Sequence, residues 1–146
     1  MISQHFKDFI EMLNKHNVQY LIVGGYAVGF HGFRRFTGDL DIWIKISDDN
    51  ADKMMKVITE FPAPKNLFKK EDFLNEKPLA GGYFGLEPFR IDILNSIDGV
   101  TFDECFPNAA KHNFEGTEMY FIHFNDLKKN KLSSGRLKDK MEQNGH

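Results

Sequence analysis

Apolar residues recur along this chain with two different periods. Phe6, Phe9, Ile10 and Leu13 return every three or four positions, which gathers them on one face of a helix. Ser3 stands in front of them as an N-cap. A helix is therefore predicted up to about His16, with Lys7, Glu11 and Lys15 on the opposite side. Asn17 ends it. Val18 to Val23 is a nearly continuous apolar run, the pattern of a central strand buried on both faces. Gly24 and Gly25 follow at once. Tyr26 to Phe33 contains Gly29 and Gly32 and is too short for a strong independent helix; it carries the chain across the sheet. From Asp39 the pattern switches to strict alternation. Side chains alternate faces along a strand, so Asp39 and Asp41 share one face while Leu40, Ile42 and Ile44 share the other.

The second half mixes the same two periods. One of Asp48, Asp49 and Asn50 is predicted to cap a helix from about Ala51 to Phe61, with Met54, Met55, Val57, Ile58 and Phe61 inward. Pro62 and Pro64 end it. Lys69 to Glu76 reads as a short helix with Phe73 and Leu74 packed inward. Gly81 to Leu86 reads as a strand, Glu87-Pro88 as a turn, and Phe89 to Leu94 as another strand with Asp92 inside it. Asp98-Gly99 is a turn signal. Thr101 to Ala110 is assigned a short helix with Phe102 and Phe106 inward, Lys111 to Gly116 a polar loop, and Glu118 to Phe124 a last strand. Asn125 or Asp126 would cap a final helical region. The fold class that results is α+β (mixed α/β): a mixed β-sheet flanked by helices.

Composition narrows this further. With 146 residues, 41% of them hydrophobic and fifteen of them Phe, the chain suits one domain spanning 1–146 with a real core. A formal net charge of −2 gives no global basicity for bulk nucleic-acid binding. The charge is uneven, however. Six basic residues lie between Lys128 and Lys140, within a helical segment from about 125 to 146. A single cysteine, Cys105, excludes an internal disulfide framework and reads as a small buried apolar residue. No run of ~18 apolar residues exists to span a membrane, and the N-terminus lacks the apolar core of a secretion signal. A soluble cytoplasmic protein is expected.

Candidate chemistry centres on the carboxylates. Two like charges as close as Asp39 and Asp41 repel and raise one pKa, unless a cation lies between them. Hard dications such as Mg²⁺ take oxygen ligands, commonly one or two carboxylates plus substrate phosphates. Asp92 is a carboxylate inside an apolar strand, where burial without a partner is costly. Two partners are open to it: a metal shared with Asp39 and Asp41, or Arg90, which alternation puts on the same strand face. Gly24 and Gly25 permit positive φ and close backbone approach, and the N–H groups at the start of the next helix can receive phosphate oxygens. Arg34 and Arg35 offer forks that match phosphate; two readings are open, a solvated loop, or one arginine facing a triphosphate and the other paired with an acid, with Arg35 the candidate for the phosphate. Thr37 would fix the turn before Asp39. His31 is either a substrate contact or a structural histidine.

The stretch GGYAVGFHGFRRFTGDLDIWI resembles the nucleotidyltransferase superfamily typified by DNA polymerase beta. Its fuller pattern is similar to small nucleotidyltransferase-like proteins related to the toxin half of abortive-infection systems. The resemblance implies a glycine turn at Gly24-Gly25, an acidic triad of Asp39, Asp41 and Asp92, and two Mg²⁺ ions held by that triad. It implies transfer of a nucleoside monophosphate from a nucleoside triphosphate (NTP) to a hydroxyl. Lys131 and Arg136 match a segment near the C-terminus of these small families that reaches the nucleotide phosphates. Binding of the acceptor would then fall to a dimer partner or another protein. Three readings follow: an enzyme acting on a small molecule, an enzyme acting on tRNA or a partner protein, and a non-catalytic nucleotide-binding module.

Overall fold

The computed structural model describes residues 2–33, 38–61, 68–76, 79–84 and 90–135. Its helices are α1 (Gln4–Lys15), α2 (Gly24–Val28), α3 (Asp48–Glu60), α4 (Phe102–Cys105) and α5 (Phe124–Ser134). Its strands are β1 (Tyr20–Val23), β2 (Asp39–Ile44), β3 (Leu79–Phe84), β4 (Arg90–Leu94), β5 (Ala110–Phe114) and β6 (Thr117–Phe121). The six strands form one mixed sheet in the order β3-β4-β2-β1-β6-β5. β1 runs antiparallel to β2, and β2 runs parallel to β4. β6 lies parallel to β1 on its other side. Hairpin-like antiparallel pairings of β3 with β4 and of β5 with β6 close the two edges. The result is a single α+β domain.

Every residue of β1 is buried, as its unbroken apolar run demands at the centre of a sheet covered on both faces. Ser3 caps α1, its hydroxyl accepting from the Phe6 N–H at 3.2 Å, and Phe6, Phe9, Ile10 and Leu13 are all buried. Phe9 meets Phe61 edge-on at 5.2 Å, which joins α1 to the end of α3. Trp43 of β2 meets Phe102 of α4 edge-on at 5.2 Å, and its indole N–H donates to the Asn95 carbonyl. Asn17, at φ 56, turns the chain out of α1 into β1 as a left-handed residue of the kind Asn tolerates.

Asn50 ties α3 to the sheet. Its Oδ1 accepts from the Gln19 N–H at 2.8 Å, and its Nδ2 donates to the carbonyls of Gln19 (3.1 Å) and Lys45 (2.9 Å). Asn50→Ala removes three hydrogen bonds at the mouth of β1 and the exit of β2, although the Gln19 carbonyl keeps the Lys45 N–H at 3.2 Å. Equilibrium urea unfolding is expected to show a loss of about 2 kcal/mol, within the range for partly buried groups that lose their partner.

Several sequence expectations are corrected. Ser47 caps α3, not Asp48, Asp49 or Asn50: its hydroxyl accepts from the Asn50 N–H at 3.0 Å. Asp48 and Asp49 occupy the first turn, where carboxylates face the positive end of the helix dipole. His123 caps α5, its Nδ1 accepting from the Asn125 N–H at 3.0 Å. The stretch expected to be a polar loop is mostly strand β5, whose turn into β6 uses Glu115 at φ 50 and Gly116 at φ 93. Two consecutive positive φ angles suit a tight hairpin turn. An edge strand needs no apolar alternation, and Ala-Lys-His-Asn-Phe shows none. Lys7 is buried rather than solvated and pairs with Glu115 at 3.4 Å. The segment expected to be a short helix at 69–76 is one 3₁₀ turn, Lys70–Phe73, with Phe73 buried and Leu74 half-buried. The strand expected at 81–86 starts earlier, as Leu79–Phe84, and positions 85 to 89, with the expected turn at Glu87-Pro88, lie outside the described residues.

Candidate active site

The topology brings one end of four strands together. The C-terminal ends of β1 and β6 and the N-terminal ends of β2 and β4 lie on the same side of the sheet, because β1 is antiparallel to β2 while β4 and β6 follow their neighbours. Asp39 and Asp41 leave β2 at that end. In the parallel pairing Asp41 stands opposite Asp92 and Asp39 opposite Arg90. Registered residues point to one face, so Asp39, Asp41, Arg90 and Asp92 share it. Leu40, Ile42, Ile91 and Ile93 point the other way and are fully buried. Apolar burial of one face thus fixes the register that joins the acids on the other.

Asp41 and Asp92 are the close pair, with their carboxyl groups in hydrogen-bond contact. Burial raises the Asp41 pKa first, and repulsion from Asp92 and Asp39 raises it further. The positive charge of Lys131 on α5 opposes this. The upward pull wins, and the Asp41 carboxyl is pushed up to about 7. The Arg90 Nε donates to Asp92 Oδ1 at 2.9 Å. Arginine and carboxylate thus form the ion pair that alternation allowed, with the Asp92 side chain 13% exposed. Among the described residues no three His, Cys, Asp or Glu side chains are gathered closely enough to hold a metal ion between them. Asp39 lies along the strand from the pair rather than within it.

Gly24 begins α2 at φ +67, a left-handed conformation that side chains resist. A Cβ built there would overlap the Asp41 carboxylate and stand 3.2 Å from the Asp41 Cβ. The backbone at the glycine turn and the carboxylate therefore occupy one spot that only glycine leaves open. No side chain caps the start of α2, so its first N–H groups are not spent on a local partner of that kind. Tyr26, next in the helix, is buried, and its hydroxyl pKa is raised by that burial and by the charge of Asp39. Sequence reasoning gave Tyr26 no part; its place directly after the Gly pair was the available signal.

His31 sits at the same end of the sheet. Its Nε2 donates to the Ile122 carbonyl at 2.8 Å, as it must, since a carbonyl only accepts. The Ile122 N–H in turn donates to the Ile22 carbonyl. His31 therefore has a structural role. Cys105 is buried and its thiol is pushed up to about 12 by burial and by Asp126, so it is no nucleophile. Of the residues singled out from sequence, Gly24, Gly25, Asp39, Asp41, Asp92 and Lys131 converge on this end of the sheet, while Arg34, Arg35, Thr37 and Arg136 lie outside the described residues. No helix among the described residues is long and apolar enough to cross a membrane.

No protein-family model matches the chain, and no curated protein does. Among solved structures, the fold is similar to a proposed nucleotidyltransferase from Thermotoga maritima. The TM-score is 0.64 over 96% of this chain and 88% of that one, at 14% sequence identity. At that identity the likeness is one of fold.

Proposed function

We propose that the chain is a Mg²⁺-dependent nucleotidyltransferase that moves a nucleoside monophosphate from an NTP to a hydroxyl. The observation that carries this is the Asp41–Asp92 pair, set side by side by parallel strand pairing and pressed against the Gly24 turn. Two half-buried carboxyl groups that repel each other are an uneasy arrangement without a cation. An oxygen-only donor pair open to substrate phosphates is the kind of site Mg²⁺ uses. The likeness of the fold to a proposed nucleotidyltransferase supports the same reading.

In this proposal Asp41 and Asp92 hold the metal, with Asp39 joining from the next position on the same strand face. Bound there, Mg²⁺, as a pair of ions in the full arrangement, would neutralise charge on the phosphates and make the attacking hydroxyl more acidic. The chain's own groups do the rest. The N–H groups of Gly24 and Gly25 receive phosphate oxygens. Lys131 and Arg136, by resemblance, and Arg35, by its phosphate-matching fork, balance the triphosphate charge. Asp92 accepts the proton of the attacking hydroxyl. The acceptor oxygen bonds to the α-phosphorus, the bond to the bridging oxygen breaks, and pyrophosphate leaves with the electron pair. Arg90 holds Asp92 before the metal arrives, and its guanidinium must yield that carboxylate when the ion binds.

The test is incubation with α-³²P-labelled NTPs, Mg²⁺ and cell extract. Label is expected in an acceptor and pyrophosphate in solution. Label in small molecules, in tRNA or in protein would choose among the acceptor classes; the last two would fit a toxin-like role. Absence of label with every nucleotide would reject transfer and leave a nucleotide-binding module.

A further inference from the structure

An aromatic ledge stands at the carboxylate end of the sheet. Phe124, the first residue of α5, is 38% exposed. It and Leu132 are the exposed large apolar side chains among the described residues. Phe124 meets the His31 ring at 5.7 Å and 60°. His31 is in turn held by Phe30 at 5.0 Å and by its bond to the Ile122 carbonyl. The ledge is thus braced from behind by fixed groups, and that bracing limits the ordering cost when a ring lands on it.

The helix connects this ledge to the acids. Residues 124, 128 and 131 are spaced i, i+4, i+7 and form one stripe along α5. Phe124 is at its start, and Lys128 and Lys131 follow, both exposed. Seven residues span about 10 Å of helix. α5 begins three residues past the C-terminal end of β6, at the end of the sheet that holds Asp41 and Asp92. The stripe therefore offers an exposed ring and then two ammonium groups at the end of the sheet that carries the carboxylate pair. That order matches the parts of a nucleotide: a planar base, then a charged phosphate chain. Aromatic side chains hold bases by stacking on their faces, with little preference among bases.

We propose that Phe124, braced by His31, is the platform on which the base of the nucleoside triphosphate stacks while its phosphates run along Lys128 and Lys131 toward the glycine turn. This inference rests on the nucleotidyl-transfer reading above. It assigns the base a site on α5 and expects weak discrimination between ATP and GTP.

Calorimetric titration with ATP and with inorganic tripolyphosphate, each with Mg²⁺, separates the two ideas. Phe124→Ala is expected to weaken ATP binding about tenfold, the size of one lost stacking contact, and to leave tripolyphosphate binding unchanged. Phe124→Trp should restore ATP binding. Its new indole emission should be quenched by ATP and not by tripolyphosphate, against a constant signal from the buried Trp43. Unchanged ATP affinity in Phe124→Ala, or equal losses for ATP and tripolyphosphate, would overturn the platform and leave the transfer reading standing. Failure of the wild-type chain to bind either compound would overturn both.

Discussion

Asp41→Asn is expected to abolish the proposed nucleotidyl transfer, lowering the Mg²⁺-dependent rate by about a thousandfold, and yet to make the metal-free protein more stable. Both results follow from one carboxyl group. In its proposed role as a metal ligand Asp41 would stabilise charge that develops in the transition state, the kind of contribution whose removal costs about 10²–10³ in rate. As a buried acid beside Asp92 and Asp39, with its pKa pushed up to about 7, it is unfavourable once ionised. The sign of the pH dependence is fixed by that upward shift. Below about pH 4 folded and unfolded chains both hold the proton. Between about 4 and 7 the folded chain holds it and the unfolded chain releases it, so stability falls as pH rises through this window. Above about 7 the dependence ends. Asn has no such proton, so the variant should gain roughly 2 kcal/mol over wild type at pH 8 without metal. Urea unfolding at pH 4 and pH 8, with and without Mg²⁺, checks this. Mg²⁺ should stabilise the wild type and not the variant. Transfer by Asp41→Asn at the wild-type rate would remove Asp41 from the mechanism.

Gly24→Ala should be nearly as damaging, for a different reason. The left-handed backbone at φ +67 costs an L-residue roughly 1–2 kcal/mol. The added methyl group also overlaps the Asp41 carboxylate. Either the acid turns away or the glycine turn opens; both would separate the proposed phosphate cradle from the proposed metal ligands. A displacement of an ångström at reacting groups costs about a hundredfold in rate. Activity is expected to fall by that factor or more, with folding weakened by roughly 2 kcal/mol. Gly116→Ala is the control. It shares the positive φ but a Cβ there meets nothing within 4 Å, so it should show the strain alone and full activity. Equal loss of activity in both variants would show that strain, and not contact with Asp41, is what matters at position 24.

Much of this arrangement was legible in the residues. The apolar run before Gly24 and the alternation after Asp39 specify β1, β2 and the shared face of the two acids. Asp92 was legible as an anomaly, a carboxylate between Ile91 and Ile93, and pairing in register with Asp41 answers why it is there. The sequence also offered Arg90 as its partner, and the structure contains that ion pair. What stayed hidden depends on tertiary contact. β5 is an edge strand with polar side chains, so no period marked it. The caps Ser47 and His123 were missed because Asp and Asn beside them are equally good cap formers, and only the local φ and ψ decide. The electrostatic reach of Lys131 to Asp41 is set by where α5 lies in the fold, which no local pattern records.

Asp41 and Asp92 belong to strands about a third of the chain apart, and β1 acquires its β6 neighbour only from residues near 121. Long-range parallel pairing of this sort forms slowly, because closing large loops precedes any reward from contact. A nascent or partly unfolded chain therefore holds the glycine turn and the first two acids without the third. For the proposed reaction, competence should therefore appear only once β4 has docked beside β2.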